Sequence, residues 1–401
     1  HHESEADGEP MIDRSRRDVS ITYFQAFSSS LSIFQDFDIT PSQNISLVTG
    51  LKYERKDLPK NWESTATPII DIHQFDAINF IPPPAMPRYQ AQNRIIWTDF
   101  GGYLQFNWHF SSNHHLVGGI RMDHNSEYGT VTTFRGSLVS QFKPITLKAM
   151  YGEGYQEPTT RLIYENWAFA GANAALKPTH SRTYELKCLF VKPHFSADIS
   201  SYYIRTQNSV LQFQGGAQNI GRKEIWGLDL NVRAQFFPSF LNKLSIWGSY
   251  AYIDARGDEE IVTDASGMEF FRWGALGDIA DHKLYFGSTI SASKNSSITV
   301  LGRYIGKRKT IYSNPVRTIN AYLLFDLNIS FRNLFNSGLG LSFKIKNIFD
   351  RNYFHPGYAG ASSGNSPGDW VDGEWHGSLG YYNSLLPQPK RRFCISLTWM
   401  Q

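Results

Sequence analysis

From residue 339 the chain reads Leu-Gly-Leu-Ser-Phe-Lys-Ile-Lys, apolar and polar or small side chains taking strict turns until Asn347-Ile348-Phe349-Asp350 ends the alternation. Successive side chains of a strand point to opposite faces, so the stretch predicts a strand with one apolar and one wet face. The pattern recurs: Ile45, Leu47, Leu51 and Tyr53 stand against Ser46, Gly50, Lys52 and Glu54, and Phe325, Leu327, Ile329 and Phe331 against Asp326, Asn328, Ser330 and Arg332. Period-two segments fill most of the chain, and no amphipathic helix of three or more turns is read. The spacing predicts about fifteen strands, near 19–39, 45–56, 94–110, 115–126, 130–142, 145–155, 183–192, 195–214, 217–237, 244–257, 278–293, 298–310, 319–334, 339–354 and 390–400. Many run to ten or more residues. Soluble strands average about 5–6, whereas a tilted membrane strand needs about 9–11.

The connections alternate in size. Short turns such as Thr40-Pro41-Ser42-Gln43, Ser111-Ser112-Asn113-His114, Lys143-Pro144, Lys192-Pro193-His194, Lys294-Asn295-Ser296 and Asn336-Ser337-Gly338 alternate with long loops near 57–93, 156–182, 258–277 and 355–389. Short turns at one end and long loops at the other are how outer-membrane barrels are built, while a soluble sandwich has no reason to sort loops by end. Lys52, Arg332 and Lys346 are costly against lipid and acceptable in a wet lumen. The expected fold class is therefore all-β, a transmembrane antiparallel β-barrel, with a soluble all-β fold as the alternative. The first strand starts at the long-loop end and the last finishes at the short-turn end, which requires an odd count. Single-chain bacterial barrels have even strand numbers, so further strands are expected beyond those in this chain.

Composition sharpens this reading. Aromatic residues make up 15% of the 401 positions, which suits aromatic girdles at two membrane interfaces. A net charge of +3 favours neither nucleic acid nor a strongly acidic partner. No apolar run is long enough for a transmembrane helix. The start, His1-His2-Glu3-Ser4-Glu5, is too polar for a signal peptide and is expected to be a processed or internal start. Residues 1–18 read as an extracellular loop segment without fixed structure, and residues 19–401 as barrel. Cys188 shares parity with Tyr184, Leu186 and Phe190 on the apolar face, Cys394 with Ser396 and Thr398 on the polar face, so both are expected as free thiols.

Motifs in order along the chain then add a family. "FQDFDITPSQNISLVTGLKYE" (34–54), "YGEGYQEPTTRLIYE" (151–165), "ALKPTHSRTYELK" (175–187), "NIGRKEIWGLDLNV" (219–232) and "IKNIFDRNYF" (345–354) each resemble a segment of the TonB-dependent outer-membrane receptors, and a near-terminal aromatic, Trp399, follows. Thr179 stands where the family usually has Glu, and Asp229 closes the Gly-Leu-Glu pattern. The resemblance implies a barrel of about 22 strands around a globular N-terminal plug. On that footing the plug, the segment that touches TonB and about seven strands would come from a separate chain or from another part of the protein. It implies active transport of a bulky scarce nutrient across the Gram-negative outer membrane, with a ferric siderophore as the default and cobalamin, an oligosaccharide or a peptide as other cargoes. The implied partners are the bilayer, lipopolysaccharide, the plug and, through it, TonB. A passive porin-like or structural barrel is the alternative.

No catalytic constellation is present: there is no Gly-x-Ser-x-Gly elbow and no Gly-rich phosphate loop after a strand, so neither enzymatic activity nor a cofactor is expected. Loop 355–390 combines Gly, Ser and Pro with Tyr358, Trp370, Trp375, Tyr381 and Tyr382, plus Asp369, Asp372, Glu374 and His376. Aromatic faces there can stack on a siderophore, sugar ring or corrin, and the carboxylates can orient a ligand or hold Ca²⁺. Interfacial anchoring and solvated charge are the plainer reading. Loop 156–182 offers Arg161, Tyr164, Trp167 and Phe169 as further ligand contacts. Haem receptors of the family carry a ligand His in this loop; "RLIYENWAFAGANAAL" has none, which disfavours haem. "HHESEADGE" reads as a solvated terminus rather than a metal site, and His114-His115 as exposed turn residues.

Overall fold

The computed structural model describes all of the chain except residues 1, 4–17, 20, 26–27, 61–62, 67–69, 72–92, 165–171, 214–215, 264–265, 268, 312–313, 315, 336, 358–368, 372–373, 377–384 and 400–401. Alternating segments pair into one antiparallel sheet whose main path has fifteen strands. They are β1 (Ser29–Ser42), β2 (Ile45–Pro59), β3 (Arg94–Ser111), β4 (His114–Asn125), β5 (Gly129–Phe142), β6 (Ile145–Gln156), β7 (Thr179–Lys192) and β8 (Phe195–Phe213). Then come β9 (Gly216–Phe236), β10 (Lys243–Thr263), β11 (His282–Ser291), β12 (Ser296–Ile305), β13 (Tyr322–Leu334), β14 (Leu339–Lys346) and β15 (Arg392–Trp399). Each pairs with its neighbour in sequence, an up-and-down meander with β1 and β15 at its ends. Among the described residues those two strands do not pair with each other.

The register keeps the two faces apart across the sheet. Phe393, Ile345, Leu327, Val300, Ser288, Ile246 and Ala234 lie opposite one another in succession from β15 to β9, a row that is apolar but for one serine. One residue along each strand, Cys394, Lys344, Asn328, Thr299, Thr289, Ser245 and Gln235 form the matching row on the other face, all polar or small. The apolar rows are solvent-exposed in the isolated chain, with Phe393 at 62% and Leu186 at 66%. An exposed apolar band backed by a polar face is the pattern of a wall with lipid outside and a wet lumen inside. Both cysteines are free thiols, Cys188 opposite Ile199 in the apolar set and Cys394 opposite Lys344 in the polar set.

Ring contacts mark both margins of the band. On the loop side Tyr151, Tyr184, Tyr203 and Trp226 form a ladder, with centroids 5.0, 6.3 and 4.4 Å apart. On the turn side Trp108, Phe110, His114 and Phe142 touch in succession at 5.3, 5.4 and 5.5 Å. His114 and His115 are therefore strand residues and not the exposed turn pair expected. The His114 Nδ1 lies 2.9 Å from Ser140 Oγ, and His115 stacks on His109 at 4.2 Å. A period-two pattern alone does not fix which residue starts a strand, and ring stacking across β3–β4 extends this one to the turn.

Turns at one end are short: residues 43–44, 112–113, 143–144, 193–194, 237–242, 292–295 and 335–338. At the other end the strands are joined by 60–93, 126–128, 157–178, 214–215, 264–281, 306–321 and 347–391, of which 126–128 and 214–215 are only three and two residues long. Four boundaries differ from those the alternation predicts. Residues 19–39 are not one strand, because the β1–β2 ladder runs from Ser42 back to Ser29 opposite Asp57. Pro59, which has no N–H to donate, closes β2. Ile21–Gln25 pairs instead with Glu63–Ala66. The loop placed at 258–277 is a protruding hairpin, where β10 runs on to Thr263 and pairs with Glu269–Ala275. The strand placed at 298–310 stops at Ile305, and residues 306–321 carry their own pair, Arg308–Lys309 with Thr318–Ile319.

The fourth difference answers why the alternation stops after Lys346. Asn347 takes a left-handed φ of 52°, where a short amide side chain is tolerated best. Its amide then grips Arg351 on both sides, accepting from the N–H and donating to the carbonyl at 2.9 Å each. The Asn347 N–H donates to Asp326 Oδ1 at 2.8 Å. The Asn347-Ile348-Phe349-Asp350 segment is thus a locked turn, not four more strand residues.

Candidate functional site at the loop end of the wall

The inward polar face gathers its charges near the loop end. Lys56 on β2 reaches Asp99 Oδ2 on β3 at 3.0 Å and Glu157 Oε1, just past β6, at 2.8 Å. Tyr128 Oη donates to Glu157 at 3.0 Å, and Asn125 Nδ2 donates to Asp99 Oδ1 at 2.6 Å. Arg121 forks onto both oxygens of Asp123 at 2.6 and 2.7 Å. Asp99 and Asp123 are almost wholly buried, and each has a cation against it, Lys56 and Arg121 respectively.

Over this network folds the segment between β6 and β7. Its only described helix is the short α1 (Thr160–Tyr164), whose Ile163 packs with Trp97, Tyr128, Val131, Leu176 and Ala217 in a buried cluster. Two asparagines fasten the segment. Asn173 Nδ2 donates to Ala217 O at 2.8 Å. Asn219, from the Asn-x-Gly motif, accepts from Lys177 N and donates to Lys177 O, both at 2.7 Å. The motif residue is thus a clamp that holds a mouth loop against the inner wall.

A second cluster lines the wall nearer the chain's end. The Tyr322 ring on β13 lies tilted against that of Tyr353 with centroids 4.8 Å apart, and its hydroxyl is 3.3 Å from His355 Nε2. Arg308 Nη2 donates to Phe354 O at 3.2 Å. The buried Nε atoms of Arg303 and Arg308 have no hydrogen-bond acceptor among the described residues. Burial, and after it the charges of Arg308 and Arg303, hold the His355 imidazole below its ordinary pKa, so it is neutral at pH 7. Two cations, two phenols and a neutral imidazole thus share one stretch of the wall.

Of the candidate residues, Arg161 and Tyr164 lie on α1, and Tyr164 packs against the buried cluster beneath the mouth. Burial, then the neighbouring Glu127 carboxylate, pushes the Tyr164 phenol up to about 12, and Lys60 Nζ sits 5.9 Å from its ring centre. Trp370 and Trp375 are brought directly opposite one another in a small hairpin of Asp369–Val371 with Glu374–His376. Trp167, Phe169, Tyr358 and Tyr381 lie outside the described residues, as does Asp372. No metal-ligating cluster is present among the described residues. Sequence reading missed Arg303, Arg308, His355 and the Lys56–Asp99–Glu157 triad. Only the polar parity of Arg303 and Lys56 hinted at them, and parity does not say which strands meet.

A family model described as TonB dependent receptor-like, beta-barrel matches residues 7–348. The chain is 24% identical over 248 residues to a vitamin B12 transporter of Vibrio cholerae, spanning 59% of this chain and 36% of that one. It superposes on the ferric enterobactin receptor of Pseudomonas aeruginosa with a TM-score of 0.64 at 14% identity, covering 93% of this chain and 54% of that one. A copper transporter structure gives 0.64 at 16% identity, covering 94% and 57%. The chain thus spans about half the length of these solved structures and just over a third of the transporter.

Proposed function

We propose that this chain, which belongs to the TonB-dependent receptor β-barrel family, forms most of the wall of an outer-membrane importer for a bulky, scarce nutrient. The observation that carries the reading is the inward face. Near the mouth Lys56 is paired with Asp99 and Glu157, a row of polar or small side chains crosses the face from β15 to β9, and a clamped loop folds onto it. Such a lining suits a hydrated passage and no reaction on the cargo. In this reading loops bind the cargo, and a plug supplied with the remaining strands is moved by force relayed through TonB. Solved structures similar in fold carry ferric enterobactin or copper in their names and a sequence relative carries vitamin B12, so the fold does not single out a cargo. The Arg303–Arg308–Tyr322–His355 surface favours a ferric siderophore, whose iron-binding oxygens are anionic. The setting is the Gram-negative outer membrane with its lipopolysaccharide.

The open edges of β1 and β15 require partners, since unpaired backbone groups in hydrocarbon cost several kcal/mol each. About seven further strands would close the wall. Denaturing electrophoresis and mass spectrometry of the purified receptor test this, and a homogeneous barrel of residues 1–401 alone would refute it. Transport is tested by iron-limited growth with and without an energised inner membrane. Uptake that continues without energy would point to a passive pore. Deleting residues 362–378 should abolish uptake while leaving assembly intact. Trp370→Ala and Trp375→Ala should each weaken binding by about 1–3 kcal/mol if ligand desolvates the rings. Unchanged affinity in all three would move capture to the other loops or the plug.

A further inference from the structure

A cavity of about 810 Å³ lies at the rim between the β10 hairpin and the segment that follows β12. Its membrane-ward wall is Tyr252, His282 and Tyr304. Tyr252 is opposite Leu228 and His282, and Tyr304 is opposite Leu284 and Leu323, so all three belong to the outward, apolar set of rows. Tyr252 and His282 stack at 5.2 Å. One step toward the loops, Asp254 is opposite Trp226, the last ring of the outer ladder. The cavity therefore straddles the level at which a membrane's headgroups meet its acyl chains.

Its other wall is cationic. Lys307, Arg308 and Lys309 are consecutive lining residues, and side chains of an extended segment alternate in direction. Arg308 turns inward, where its guanidinium donates to Phe354 O, so Lys307 and Lys309 fall on the outer side, and both are exposed. Neither forms an ion pair among the described residues. Arg256 is paired with Asp254 at 3.1 Å, and Asp281 is the remaining lining carboxylate. Trp273 closes the top, with the Arg222 guanidinium 4.8 Å from its ring centre. Two free cations above three rings that border an apolar band match one kind of molecule, an amphiphile with a phosphorylated head.

We propose that this rim cavity binds the phosphorylated headgroup of an outer-leaflet lipid, with Lys307 and Lys309 holding the phosphate and Tyr252, His282 and Tyr304 packing the junction with the chains. The proposal rests on the membrane reading given above. Its place on the outer wall separates it from any cargo site in the lumen.

The test uses the complete receptor in lipid nanodiscs and three probes: an acylated glucosamine disaccharide bearing two phosphates, the same lipid without phosphates, and inorganic phosphate. Native mass spectrometry of the released complex reads bound lipid. The diphosphorylated lipid should be retained, with the K307Q/K309Q receptor binding it roughly thirtyfold more weakly, since each of the two surface cations is worth about 1 kcal/mol toward an anionic lipid. The K307R/K309R receptor should match the parent, and the phosphate-free lipid should bind parent and K307Q/K309Q receptors alike. Equal retention of the diphosphorylated lipid by parent and K307Q/K309Q receptors would overturn the proposal. So would displacement of the lipid by millimolar inorganic phosphate, which would mark a site for free anions. A receptor that does not enter the bilayer would remove the membrane reading and this site with it.

Discussion

The two faces of the wall, one residue apart along every strand, follow opposite rules. On the outer face Phe343 lies between Ile329 and Ile395, and large apolar side chains remain exposed because lipid is to cover them. On the inner face the neighbouring Lys344 lies between Asn328 and Cys394, and farther along the sheet buried carboxylates survive only beside cations. One face is defined by what it excludes, the other by what it pairs. Adding a charge breaks the first, and taking one away breaks the second.

The sharpest break is Phe343→Arg, which puts a cation on the lipid side. It should cost about 2–4 kcal/mol of barrel stability if the residue lies near the midplane, read from urea titrations of folding into vesicles. Spin labels at Phe343 and Lys344 should report a lipid and an aqueous environment respectively. Two dry environments, or the reverse order, would end the barrel reading.

On the inner face Lys56→Met should destabilise by about 2 kcal/mol, less than a fully buried pair because Glu157 is half-exposed. Asp99 would be left buried without its cation. The double change Lys56→Met with Asp99→Asn should recover part of the loss. If the single change is silent in thermal melts, the triad is not what holds the mouth loop.

Asn347→Ala tests the turn that joins the faces to the loops. It removes two side-chain hydrogen bonds and leaves alanine at a φ of 52°. A loss of about 1–2 kcal/mol is expected, and Asn347→Gly should recover the backbone share but not the hydrogen bonds.

The smallest effect is in pH. His355 titrates below its ordinary value in the folded chain, so as pH falls below about 6.5 the unfolded chain takes the proton first. Stability contributed by the neutral imidazole is present above that pH and is lost as pH falls through the folded value. Parent protein should lose more stability between pH 7.5 and 5 than His355→Gln, measured by amide exchange in strands β12 and β13.

Much of this was already written in the alternation. Strand number, the parity of Phe343 and Lys344 and the free state of Cys188 and Cys394 follow from a period of two, which is local and therefore visible in one chain, whereas the short connections 126–128 and 214–215 at the long-loop end were not read. Motif residues were visible too, though their work was not: Asn219 reads as part of Asn-x-Gly, and only its two bonds to Lys177 make it a clamp. Of the proposed ligand contacts, Trp167, Phe169, Tyr358 and Tyr381 lie outside the described residues, in stretches of sequence where no periodicity guides a reading.

What the sequence determined by itself is the wall, because a strand's two faces and its length are set by neighbours a few residues away. What only the tertiary structure decided is everything that depends on which strand stands beside which. Lys56 meets Glu157 across 101 positions, Arg308 meets Phe354 across 46, and the β10 hairpin rises where a loop was expected. Those meetings are fixed by the shared register of strands far apart in the chain. The order of polar and apolar residues within any one strand leaves that register unspecified.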